Sequence, residues 1–180
     1  MNLSSLAHAA ARTSKAATVL LLVFLLPGCR RERADGETLR VGVPSTFSSL
    51  DPHEGTTVAV LSQLSNVYEA LTTVDADLAL RPGLAVSWRA ADPVTWLFEL
   101  RPDVRFHDGR TLTPADVVFT IRRLRDAPSL QGRSHVAAIA SVEARGPSTV
   151  AVTTRSPYSR LPTVLSQVFI VPEGSTRERL

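Results

Sequence analysis

The sequence predicts a mixed α/β domain, with helices and strands interleaved in α+β fashion, and three observations carry that expectation. Thr95–Leu100 places Trp96, Phe98 and Leu100 on one side and Thr95, Leu97 and Glu99 on the other, the two-residue period of a strand. Thr113 opens a Thr-Pro-Ala-Asp start, followed by Val117, Ile121 and Leu124 at the spacing of one helix face. Turn clusters such as Arg145-Gly146-Pro147-Ser148 cut the chain into short elements between these pieces.

The 180-residue chain begins with a segment that does not belong to that domain. Arg12 and Lys15 precede Ala16–Leu26, eleven residues without a charge. That length falls inside the window of about 7–15 for a signal-peptide core and short of the roughly 18 needed to cross a bilayer. The positive flank fits insertion with the amino end held inside the cell. Leu26-Pro27-Gly28-Cys29 then resembles the lipobox of bacterial lipoproteins, in which cleavage precedes a cysteine whose sulfur carries diacylglycerol. The expected organisation is a signal peptide over 1–28, a polar tether over 29–37 starting at the lipidated Cys29, and a domain over 38–180. Cys29 is the one cysteine of the chain, so no internal disulfide or multi-cysteine metal site competes for it.

Cleavage after residue 28 leaves 152 residues, enough for a single domain that buries about two-thirds of its unfolded surface. Losing Arg12 and Lys15 takes the formal charge of +3 to +1. The remaining basic residues are all Arg and are scattered among acids, as on a solvated face, so nucleic acid is not an expected partner.

Within the domain, Leu39, Val41 and Val43 alternate as a strand over Thr38–Val43, and Pro44–Pro52 reads as a loop. Apolar residues at 58, 60, 61, 64, 67, 68 and 71 predict a helix over Thr57–Leu71. A strand over Leu71–Val74 and a turn at Asp75-Ala76-Asp77 follow. Beyond the Thr95–Leu100 strand, Val104 and Phe106 continue a strand into a tight turn at His107-Asp108-Gly109. Thr113 caps the next helix with its hydroxyl, Pro114 sits where a missing N–H costs nothing, and Asp116 completes the capping box. Arg122, Arg123 and Arg125 lie near that helix's C-terminus, where the dipole favours cations. Ile139–Ala144 and Thr149–Thr154 form a β-hairpin, and Gln167–Val171 reads as a last strand.

The run Leu100–Leu124, LRPDVRFHDGRTLTPADVVFTIRRL, stands after SLDPH at 49–53, VYEAL at 67–71, LAVSWR at 84–89 and TWLFE at 95–99. In this order and spacing the pieces resemble the extracytoplasmic solute-binding proteins of peptide ABC importers, the dipeptide, oligopeptide and nickel group. Asp103, Pro114 and Asp92-Pro93 depart from that pattern, where the group favours Gly, Ala and Asp-Gly. The resemblance implies the amino-terminal subdomain and part of lobe I of a two-lobe periplasmic-binding-protein-like fold. Members of the group are several-fold longer, so a truncated first lobe is expected here. It implies a monomer that captures a short peptide or similar small solute for an ABC permease, held to a membrane by its lipid. In the resembling family the segment after SLDPH touches ligand, which assigns Thr56, Thr57 and Val58 as ligand contacts. The N–H groups of the helix start beyond would suit a carboxylate or carbonyl.

The residues argue against catalysis. His107 and Asp108 belong to a turn, adjacent strand residues point to opposite faces, and no nucleophile motif accompanies them. There is no phosphate loop, paired catalytic carboxylate or nucleophile elbow. His53, His107 and His135 make no ligand spacing, so neither a metal nor any other cofactor is expected. Asp51-Pro52-His53 reads as a loop brace, and Trp96 and Phe98 as core. A membrane-anchored interaction domain and a non-binding fragment of the same family are the alternative functions.

Overall fold

A computed structural model describes residues 41–42 and 49–176. The signal segment, Cys29, the tether and most of the Thr38–Val43 strand lie outside these residues. Val41 and Gly42, which are described, belong to no strand.

Helix α1 spans Val58–Leu64 and ends well short of Leu71. The reason is local: the Ser65 hydroxyl donates to Ser62 O at 2.9 Å, and Asn66 Nδ2 donates to Ser62 O and Gln63 O at 3.1 Å each. These polar side chains consume the carbonyls of the last turn, as such residues do at helix ends. The remaining apolar residues of the stripe then serve other partners: Ala70 forms an isolated bridge with Phe169, and Leu71 enters the core. Strands β1 (Thr72–Val74) and β2 (Leu80–Pro82) pair antiparallel around a turn whose Asp75 carboxylate accepts from Asp77 N and Ala79 N. Gly83 follows because the chain passes so close to its neighbour: a Cβ there would stand 2.5 Å from Ala70 O.

The main sheet has four antiparallel strands in the order β3-β4-β6-β5, with β3 at Ala85–Ala90, β4 at Thr95–Leu100, β5 at Ile139–Arg145 and β6 at Thr149–Thr154. Trp88 stands opposite Phe98, Phe98 opposite Val150, and Val142 opposite Val152, so these side chains share one face. Helix α2, Pro114–Asp126, buries Val117, Ile121 and Leu124 completely in the same core as Phe98, Val150 and Val152. Short helices α3 (Arg133–Val136) and α4 (Leu161–Val164) and a 3₁₀ turn at Leu165–Gln167 add Val136, Leu161 and Leu165 to that core. The mixed α/β class, the β4 strand with its faces, the α2 stripe and the β5–β6 hairpin all follow the sequence expectation.

Two further expectations need correction. Val104–Phe106 is not a continuing strand, because only Arg105 and Thr111 bridge, around the 107–109 turn. Gln167–Val171 is not a strand either: its first residue ends the 3₁₀ turn, and Phe169 alone bridges. At α2 the expected capping box is present, and its Asp116 half reaches further than the helix start. Asp116 Oδ2 accepts from both Thr113 N and Thr113 Oγ1, each at 2.8 Å, while Oδ1 accepts from Glu173 N at 2.8 Å. One buried carboxylate thus ties the helix start to the segment after Phe169.

Asp103 has φ of +58°, the left-handed region that an L-residue enters at a cost and that Asp tolerates better than most. The position where the resembling family favours Gly is therefore one with a conformational reason for it.

Candidate functional site

Thr56, Thr57 and Val58 lie on the turn into α1. Thr57 is its N-cap, with extended backbone and Oγ1 accepting from Val60 N at 3.4 Å. The Thr56 hydroxyl reaches Gln131 Oε1 at 3.5 Å, and Val58 is 84% exposed. An exposed valine at a helix start has no packing role of its own. It stands on the rim of a groove of about 700 Å³ whose wall includes Leu61, Tyr68, Ala70 and Phe169. The Tyr68 and Phe169 rings stack in a tilted pair, with centroids 6.1 Å apart.

Immediately before this turn lies a cluster that the sequence reading underestimated. Asp51 and His53 are each 2% exposed. The Arg123 guanidinium forks onto Asp51, with Nη1 donating to Oδ1 at 3.0 Å and Nη2 pairing with Oδ2. Nη1 also donates to His53 Nδ1 at 2.5 Å, and His53 Nε2 donates to Phe169 O at 2.8 Å. This pattern requires a neutral imidazole with its proton on Nε2. Burial, with the neighbouring guanidinium, pushes the His53 pKa down to about 4 against the weaker pull of Phe169 O and Asp51. At Asp51, burial alone would raise the pKa. The hydrogen bonds from Arg123 and His53 N, together with the Arg123 charge, outweigh it and hold the carboxyl below its ordinary range.

The brace expected at Asp51-Pro52-His53 is therefore present, and Arg123 stands in the last turn of α2 as expected. Its side chain does more than meet the dipole: it is largely buried in an ion pair with Asp51, 72 residues away in sequence. Nothing local in the sequence marks that partner.

The remaining candidates fall elsewhere. His107-Asp108-Gly109 is a turn, with Gly109 at φ +86° and Asp108 Oδ1 accepting from Arg110 N at 3.0 Å. Phe98 is fully buried and Trp96 packs against the same core. Among the described residues no group of three or more His, Cys, Asp or Glu could hold a metal ion, and no helix is long and apolar enough to cross a membrane.

The fold and these motifs are those of a family of solute-binding proteins. Residues 79–179 match the profile of the bacterial extracellular solute-binding proteins, family 5 Middle, and the chain belongs to this family. The glutathione-binding protein GsiB of Escherichia coli K12 is 30% identical over 128 residues, which cover 70% of this chain and 25% of GsiB. Among solved structures, MoaA of A. tumefaciens R10, in complex with mannopinic acid, is 33% identical with a TM-score of 0.65, over 73% of this chain and 29% of that one. Haemophilus influenzae OppA, in complex with the peptide RPPGFSPFR, is 26% identical with a TM-score of 0.64, over 69% and 28%. The chain thus spans about a quarter of the length of the curated relatives it matches. The family is one of binding proteins rather than enzymes, as expected from the missing catalytic motifs.

Proposed function

We propose that this chain forms part of the solute-binding component of an ABC importer for short peptides or similar small polar solutes. A lipid on Cys29 anchors it outside a membrane, and Thr56, Thr57 and Val58 contact the solute. The family match over residues 79–179 carries the reading, and relatives named for glutathione and crystallised with a nonapeptide or mannopinic acid support the solute class. The exposure of Val58 beside the Tyr68–Phe169 groove supports the contact assignment.

In binding proteins of this kind affinity comes from enclosure, since ligands of this size are typically buried by about 70–90%. The 56–58 turn and its groove offer one open wall. The 180-residue chain by itself is therefore expected to bind di- to pentapeptides weakly or not at all in isothermal calorimetry. Micromolar or tighter binding would show that this wall is a complete site. The importer role is tested by uptake of labelled peptides into cells with and without the locus; unchanged uptake across a peptide library refutes it and leaves an anchored interaction domain as the better reading.

A further inference from the structure

The cluster around Arg123 joins three stretches of chain: Asp51 and His53 before α1, Arg123 on α2, and the Phe169 carbonyl beside the groove. Its polar atoms satisfy one another. Asp51 Oδ1 also accepts from His53 N at 3.1 Å, and Asp51 N donates to Ser49 Oγ at 3.1 Å. A buried network of this kind fixes geometry, because removing one member leaves the others desolvated and unpaired.

Two further contacts extend the hold toward the turn. His53 O accepts from Gly132 N at 3.1 Å, and a Cβ on Gly132 would stand 2.9 Å from Leu124 Cδ2 and 3.6 Å from His53 Cα. The 131–132 loop is thereby pressed against His53, and its Gln131 meets the Thr56 hydroxyl. On the other side, Tyr68 Oη donates to Leu50 O at 3.0 Å, so the ring that lines the groove hangs from the same segment. Only Glu54 and Gly55 separate His53 from Thr56.

We infer that Arg123 is a positioning residue: through Asp51 and His53 it clamps the 54–58 turn and so sets where Thr56, Thr57 and Val58 stand against the groove. The purpose of the clamp rests on the proposed ligand contact by that turn, whereas its geometry does not.

Hydrogen exchange of the full chain, read by mass spectrometry without any ligand, tests it. Arg123→Met removes both charge and fork, and Arg123→Lys keeps the charge while losing the planar two-pronged donor. Amides of His53, Glu54 and Gly132, which donate to Asp51 Oδ1, Asp51 O and His53 O, should exchange on the order of tenfold or more faster in Arg123→Met, and by an intermediate factor in Arg123→Lys, because a local opening frees that segment alone. Amides of β4 should keep their wild-type rates in Arg123→Lys, which carries the decision should Arg123→Met lose its fold. Unchanged exchange at these three amides in Arg123→Lys, or acceleration there matched by the same factor in β4, overturns the inference. Since no ligand enters the measurement, a failed clamp leaves the ligand reading intact, and peptides that fail to bind leave the clamp intact.

Discussion

Acidification from pH 7 to pH 4 should weaken the domain through His53 in particular. In the folded chain the imidazole is buried neutral, with Nδ1 facing the Arg123 guanidinium, and its pKa is about 4; in the unfolded chain it returns to about 6.5. Between these values the unfolded state binds a proton that the folded state refuses. Stability is therefore full above pH 6.5 and falls progressively as the pH drops toward 4. The gap corresponds to about 3 kcal/mol, a large share of a typical domain's stability of roughly 5–15 kcal/mol. Asp51, whose carboxyl is held below its ordinary 3.8, adds its own loss only at lower pH. His135 shifts in the same direction as His53 through burial, so the measurement must be a difference. Urea unfolding of the chain from Arg30 onward, at pH steps from 7.5 to 4, should show wild type losing about 3 kcal/mol more than His53→Gln. Parallel pH curves for the two proteins, or an imidazole proton signal of His53 titrating near 6.5, would refute the buried neutral assignment.

Other consequences are as direct. Ile121→Ala should cost about 2–5 kcal/mol in the same unfolding assay, because the side chain is fully enclosed beneath α2. Asp116→Ala should cost about 2–3 kcal/mol, more than the ~1 kcal/mol expected for Thr113→Ala, since it strands the amides of both Thr113 and Glu173; equal losses would show that the tie to Glu173 adds nothing to the capping box. Cys29→Ser should move the exported protein from the membrane fraction to the soluble fraction, and an unchanged distribution, with no lipid on the wild type, would remove the anchor from the proposal.

What was legible in the sequence was what neighbours along the chain decide. The Thr113-x-x-Asp116 start, the Val117–Ile121–Leu124 stripe and the Arg145–Ser148 turn each express their physics within a few residues, and each appears where expected. The overlong helix after Thr57 failed for a countervailing local reason, since Ser65 and Asn66 divert the last carbonyls and outvote an apolar stripe that tertiary partners claim at Ala70 and Leu71. Strand β3 is harder to see in the sequence because its exposed positions mix Val86 and Ala90 with Ser87 and Arg89, which blurs the two-residue alternation. Arg123 shows the limit of local reasoning: its place in the last turn of α2 is legible, but the partner that buries it comes from a loop 72 residues earlier, and sequence carries no such pairing without geometry. At the candidate turn, sequence placed Thr56–Val58 in front of a helix but gave no sign of the groove, whose aromatic wall comes from Phe169.

The bridge between Ala70 and Phe169 has one more consequence. Glu69 O accepts from Ile170 N at 2.9 Å, so the chain leaves and returns through adjacent residues a hydrogen bond apart. The chain between them, including both sheets and α2, departs from and returns to neighbouring points, yet it is also fastened beyond them: Arg123 pairs with Asp51, Gly132 N donates to His53 O, and Asp116 accepts from Glu173 N. Extra residues at the tip of the β5–β6 hairpin or in the 107–109 turn leave all of these points where they are, so added length is tolerated there and not at the 69–170 crossing.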